Sequence, residues 1–317
     1  MGQTILFPND QEREIKLGNL SLEKGDYQEA LKHFEKVYEK NPSYELNCQI
    51  NRCLEKQGAF HQALLLAEEY QERYDCDPAG FNQVFHLYLL DQQFLLARKY
   101  WRFANKRPEL AMVDFEQAKQ ELTQLEQVFS FYNPESLHQK REYLLKVNGS
   151  QFPLPNQKWE ELTKGLPYAS FVTIAKEILA KAYNPYLRPR LVEELVKLGY
   201  EKELFIQDIK GIKQNCVLKE LVLPENHPAL LKMLDYLEAN FSQEDPVLLD
   251  SIKAEVKAHF ALAYPFCPQR KAPEEWAESY WVEYQVALGI QEDFRLEEFD
   301  KIQLEKQEWR SLLQIQL

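Results

Sequence analysis

Six histidines, five cysteines and 50 acidic residues are the material for chemistry in this 317-residue sequence, and their spacing brings almost none of it together. The histidines are His33, His61, His86, His138, His227 and His259. None falls in an HExxH pattern, and no two are close enough to share a helical face as metal ligands. Glu135-His138-Glu142 and Glu255-His259 set acids at helical spacing from a histidine. With one imidazole each, they read as ordinary solvated charge pairs. Cys48, Cys53, Cys76, Cys216 and Cys267 are an odd number without a CxxC pair, which reads as buried thiols in a reducing compartment. Cys48 and Cys53 are five residues apart on a predicted helix and so point to different sides. The ten glycines form no phosphate-cradling loop, GxSxG is absent, and acid pairs such as Glu297-Glu298 lie in a charged helix. No catalytic residue, metal site or cofactor is expected, and the chain does not read as an enzyme.

What the sequence does contain is a recurrence. Tyr27, Phe60 and Phe94 stand 33 and then 34 residues apart, each followed three residues later by alanine: Ala30, Ala63, Ala97. A pair of antiparallel helices cannot bury its apolar stripe alone, so such units stack, and a small residue is needed where the two axes approach to about 8–10 Å. Gly18 plays that part on the first helix, where Asn51 and Phe85 stand in the next two copies, while Gly25 and Gly58 sit in turns.

These columns resemble the tetratricopeptide repeat (TPR) over roughly the first 110 residues. The first copy carries Leu17, Gly18, Gly25, Tyr27, Ala30, Phe34 and Pro42; the second (44–77) keeps Ile50, Leu54, Gly58, Phe60 and Ala63; the third (78–110) keeps Val84, Tyr88, Phe94, Ala97, Trp101, Ala104 and Pro108. The resemblance implies a helical solenoid whose first helices line a concave groove. The groove positions are then Glu12, Ile15, Lys16, Asn19 and Leu22 in copy one, Glu45, Cys48, Gln49, Arg52 and Glu55 in copy two, and Ala79, Asn82, Gln83, His86 and Leu89 in copy three. The amides of Asn19, Gln49, Asn82 and Gln83 suit the main chain of a bound peptide. TPR proteins that hold a C-terminal carboxylate use a pair of basic residues at positions occupied here by Ala79 and Gln83, so that mode is not expected.

Charge narrows the partners. The net charge is −12, with 50 acids against 38 bases and no basic run, so nucleic acid is not an expected partner. No apolar run approaches a membrane span, and MGQTILFPNDQERE has neither a secretory-signal layout nor a serine or threonine at its sixth position for myristoylation. A cytoplasmic location is expected.

Beyond the repeats a helix is predicted from Glu109 to about Phe131, covering the end of the array, and Asn133-Pro134-Glu135 starts another that stops at Asn148-Gly149. Prolines at 153 and 155 suggest a solenoid over 1–150 and a second domain over 151–317. That domain is predicted to hold helices near 157–165, 168–182 and 187–199, a β-hairpin at about 204–222, an amphipathic helix begun by Asp245-Pro246, a helix over 274–285 and a charged one from about Phe294 to Ile315. Helices followed by a hairpin also describe a winged helix, with 187–199 as recognition helix and Arg188 and Arg190 at its start, yet Glu193 and Glu194 follow where phosphate would pass. Trp276, Tyr280, Trp281 and Tyr284 share one helical face and read as core; exposed, they would make the chain a homodimer.

ELVLPE (220–225), DPVLL (245–249) and the AYPFCP and EEW segments (263–276) follow the array in an order that resembles a small family of Gram-positive bacterial TPR proteins with a C-terminal domain of unknown function. The expectation is a mainly α chain, a TPR-type solenoid followed by a mostly helical domain with one β-hairpin, acting as a protein–protein interaction scaffold for a peptide or protein partner. The alternatives are a transcriptional or signalling regulator with a winged-helix-like C-terminal unit and, third, an enzyme with a novel helical site.

Overall fold

Aspartate and serine side chains set the starts of three of the repeat helices. Asp26 accepts from Glu29 N (3.1 Å) and Ser43 from Leu46 N (3.3 Å), while Asp77, with Pro78 at the first helical position, accepts from Gly80 N (2.9 Å). The computed structural model describes residues 8–267, 272–292 and 297–313. Met1, Gly2, Pro268, Phe294 and Ile315, on which some expectations fall, lie outside them. The chain divides into two units, Met1–Pro134 with Glu160–Tyr168, and Glu135–Trp159 with Ala169–Leu317.

The first unit is a stack of helices: α1 (Pro8–Glu23), α2 (Tyr27–Tyr38), α3 (Tyr44–Lys56), α4 (Phe60–Glu68), the short α5 (Gln71–Tyr74), α6 (Pro78–Leu90), α7 (Phe94–Ala104) and α8 (Phe115–Tyr132). Ala30, Ala63 and Ala97 are all fully buried, as the small-residue column requires. At Gly18 a Cβ would lie 2.6 Å from the Phe34 ring, so α1 and α2 approach only with glycine there. The second copy meets the same crossing differently. Buried Asn51 donates to Asn47 Oδ1 (3.0 Å) and Tyr74 Oη (2.9 Å), and Asn47 donates in turn to Tyr38 Oη and the Leu66 carbonyl (2.9 Å each). Tyr74 comes from α5, an extra turn that the repeat pattern does not contain.

The helix expected from Glu109 begins only at Phe115, because Asp114 caps it by accepting from Gln117 N (2.9 Å); residues 108–110 form a single 3₁₀ turn. The stack is closed by residues 160–168. Gly165 N donates to Gln92 O (2.7 Å), Lys164 pairs with Asp91 (2.7 Å), and Tyr168 N donates to buried Glu126 (2.8 Å). Glu126 also pairs with Arg98 (2.8 Å), whose guanidinium stacks 4.3 Å over the Tyr168 ring. Gly165 has φ +63 and a Cβ there would meet Phe129 at 2.9 Å, so this closure depends on glycine.

The second unit contains α9 (Pro134–Asn148), α10 (Asn156–Thr163), α11 (Tyr168–Leu179) and α12 (Leu187–Lys197), the outer ends of α9, α10 and α11 being shared with the first. The antiparallel strands β1 (Glu203–Gln207) and β2 (Lys213–Val217) follow, in register from Glu203↔Val217 to Gln207↔Lys213, so the hairpin is present where β-branched residues place it. After β2 the chain turns through two 3₁₀ segments into α13 (Pro228–Phe241), a helix the sequence reading lacks, then α14 (Pro246–Ala263), α15 (Pro273–Ala287) and α16 (Asp300–Leu313). Trp276, Tyr280 and Trp281 are 1–3% exposed, and Trp281 stacks on Phe241 with centroids 4.2 Å apart. The aromatic stripe is core, and the self-association that its exposure would drive has no basis in it. Cys76 is exposed and Cys48 half-buried, against the expectation of buried thiols; Cys53, Cys216 and Cys267 are buried.

Candidate functional site

The first helices α1, α3 and α6 carry the residues expected to face a partner. Glu12, Lys16, Asn19, Arg52, Asn82 and His86 are exposed there, and Ile15, Gln49 and Gln83 are half-buried. Two concavities lie among these helices. One, of about 250 Å³, is bounded by Ile15, Asn19, Phe34, Glu45 and Gln49. The other, of about 800 Å³, is bounded by Tyr44, Glu45, Cys48, Gln49, Arg73 and Asp77. Glu45 and Gln49 therefore stand in both walls. Ile15, Asn19 and Gln49 are brought together; Glu12, Lys16, Arg52, Asn82, Gln83 and His86 line neither concavity.

The larger concavity is acidic, with Glu45, Glu72 and Asp77 against Arg73. Arg73 lies 4.7 Å over the Tyr44 ring and 3.8 Å from Glu45, and Tyr44 donates to Asp77 (3.1 Å). Burial, then Cys48 and Asp77, push the Tyr44 hydroxyl well above its ordinary range, so it stays a donor. The Gln49 Oε1 is buried without a hydrogen-bond donor. Gln83 uses its amide on the Cys48 carbonyl (3.4 Å) and His86 lies 3.9 Å from Glu121, so both are engaged within the chain. Tyr44, Glu72 and Arg73 escaped the sequence reading because they sit at the helix start and in α5, off the repeat positions.

The second unit holds the largest set of buried ionisable groups. His259 is fully buried, its Nδ1 2.6 Å from Tyr280 Oη, so the solvated pair expected with Glu255 is not what forms. Its Nε2 is 3.7 Å from Glu255, too long for a hydrogen bond. Burial pushes the imidazole down to about 4 and leaves it neutral. Lys306, also fully buried, donates to Glu283 (2.6 Å) and Ser279 O (3.2 Å) and lies 4.2 Å over the Tyr280 ring; burial lowers it to about 8. Arg310 bridges Glu255 (2.5 Å) and Glu283. With every charge paired and the imidazole out of solvent, these groups cross-brace α14, α15 and α16.

The arginines that a recognition helix would turn to phosphate are spent inside the fold. Arg188 is 1% exposed, and Arg190 donates to Leu154 O (2.9 Å) and Asn156 (3.0 Å). Among the described residues no three His, Cys, Asp or Glu side chains could hold a metal ion, and no helix is long and apolar enough to cross a membrane.

No protein-family model matches the chain. No solved structure matches it either. The chain is similar to the TPR repeat-containing protein YsoA of Bacillus subtilis (strain 168), with 21% identity over 285 residues, 86% of this chain and 83% of that one. The repeat columns, the stacked helix pairs and this likeness agree on a mainly α, TPR-type architecture with one small antiparallel hairpin.

Proposed function

We propose that the chain is a non-catalytic protein–protein interaction scaffold of the bacterial cytoplasm that takes a peptide or protein partner along the first helices of its repeats. The observation that carries this reading is the pair of concavities sharing Glu45 and Gln49, where an acceptor without a donor stands beside exposed Asn19 and an acidic, tyrosine-lined wall. A segment laid across both would meet the exposed Asn19 amide with its main chain and bring basic side chains to Glu45 and Glu72. The regulator reading has less support, since Arg188 and Arg190 are engaged within the fold and the net charge is −12.

The test is affinity capture from native lysate with wild type and with a triple variant, Asn19→Ala, Gln49→Ala and Arg52→Ala, whose melting curve is first shown to be unchanged. Losing polar partners from a buried interface costs about 1–3 kcal/mol per group, so captured partners should be depleted at least tenfold. Retention of every partner by the variant would move the binding surface off these helices.

A further inference from the structure

A cavity of about 500 Å³ opens in the second unit between the hairpin turn, the end of α14 and α16. That volume is within the roughly 300–1,000 Å³ of small-molecule sites. Its most buried polar residue is Arg188, 1% exposed. Nε donates to Tyr264 O (3.3 Å) and Nη2 to Leu262 O (2.5 Å), which fixes the guanidinium on the last carbonyls of α14. Capping that helix accounts for two of the three nitrogens. Nη1 donates to nothing among the described residues, and no carboxylate pairs with the group. The acid that influences it, Asp208, is committed elsewhere: it accepts from Lys210 N (2.9 Å), Ile212 N (2.8 Å) and Gln214 Nε2 (2.9 Å). A buried cation with an open donor and no counter-charge is costly to keep unless something completes it.

The rest of the lining says what that something is. Glu305, half-buried on α16, has no hydrogen bond or ion pair among the described residues, whereas Glu308 is paired with Lys210 (3.2 Å). Ile209, Pro265, Phe266 and Trp309 supply apolar surface. Cys267 lines the same space as a neutral thiol, pushed up to about 12 by burial. Counting charges, Arg188 and Lys210 face Asp208, Glu305 and Glu308, one negative charge in excess. A dianion such as phosphate meets that excess unfavourably; a molecule with one charge of each sign, held apart, does not.

We infer that this cavity binds a small zwitterion with an apolar body, of the amino-acid class, its carboxylate on Arg188, its ammonium on Glu305 and its side chain against Phe266 and Ile209. The carboxylate contact is a charge-assisted hydrogen bond to a donor already oriented by the fold.

Ligand-observed NMR and calorimetry on the full chain, using L-phenylalanine, 3-phenylpropionate, phenethylamine and inorganic phosphate, test this directly. L-phenylalanine should bind about tenfold or more tightly than either one-ended probe, and phosphate weakest. Glu305→Gln, on a partly exposed site, should erase the preference for L-phenylalanine over 3-phenylpropionate, which itself should bind the variant no more weakly than wild type. Arg188→Gln should abolish binding of both carboxylates; if that variant fails to fold, the wild-type probe series and Glu305→Gln decide. Equal affinity for L-phenylalanine and 3-phenylpropionate, preference for phosphate, or no binding at millimolar probe would each overturn the assignment.

Discussion

The side chains of Asn148 and Asn184 each bond the stretch of backbone that carries or flanks the other. The Asn148 side chain donates to Lys181 O (2.8 Å) and accepts from Tyr183 N (3.2 Å) and Asn184 N (3.3 Å). The Asn184 side chain donates to Val147 O (3.0 Å) and Phe152 O (2.8 Å) and accepts from Tyr186 N (2.9 Å) and Leu187 N (3.0 Å). One buried amide thus ends α9 and begins α12. Asn184→Leu, similar in volume but unable to bond, should cost about 3 kcal/mol or more, from at least two orphaned backbone groups at roughly 1–3 kcal/mol each. A urea midpoint that did not move would mean that water replaces the amide.

Acid should weaken the second unit through His259. The unfolded imidazole takes a proton near its ordinary pKa of about 6.5, the folded one only near about 4. Between those values the unfolded chain binds more protons, so stability falls as pH drops through that window, by up to roughly 3 kcal/mol. Glu14, held down by hydrogen bonds to Lys36 and His33, gives the first unit a loss of its own at lower pH. In the second unit Glu283, which burial alone would raise but Arg310 and Lys306 bring down, adds to the loss from His259 at lower pH. Urea unfolding at about pH 7 and about pH 4.5 measures the slope, and His259→Gln should flatten it.

The helix-crossing column makes a sharper demand than any surface residue. Ala97 is fully buried beneath Phe94, and Ala97→Leu should cost about 1–3 kcal/mol by overpacking. An unchanged thermal midpoint would show that the crossing has room the repeat alignment denies it.

Trp281→Ala removes the ring stacked on Phe241 and should cost about 3–5 kcal/mol as a core cavity. The same variant should leave the oligomeric mass, read by light scattering, at the wild-type value; a change in mass with stability intact would return the stripe to the surface.

The parts of the fold that could be read in advance are those governed by neighbours along the chain. Ala30, Ala63 and Ala97 recur because one helix crossing recurs, and Asp245-Pro246 announces α14 because a cap and a first-turn proline act locally. Helix α13 was missed because its cap is His227, whose Nδ1 accepts from Ala229 N (3.2 Å), a residue type that cap rules do not favour. His259 was misjudged for a related reason. Spacing of four residues reports Glu255 on the same helix, but the groups that bury the ring, Tyr280 and Trp309, arrive from α15 and α16. The concave face shows the same division. Ile15, Asn19 and Gln49 come from repeat positions, whereas Tyr44, Glu72 and Arg73 enter through a helix start and an extra turn.

The closing segment 160–168 has a consequence for how the protein is made. The repeats leave the ribosome first, at about 5–20 residues per second, and helix pairs can stack as they emerge. Glu126, however, receives its bond from Tyr168 N, and Gly165 reaches Gln92, only after all of α9 and α10 has been synthesised. For those seconds the end of the array is open around Phe129 and Arg98. The N-terminal unit is therefore finished by a piece of chain translated after part of its neighbour, so its completion is a late event of synthesis despite its early start.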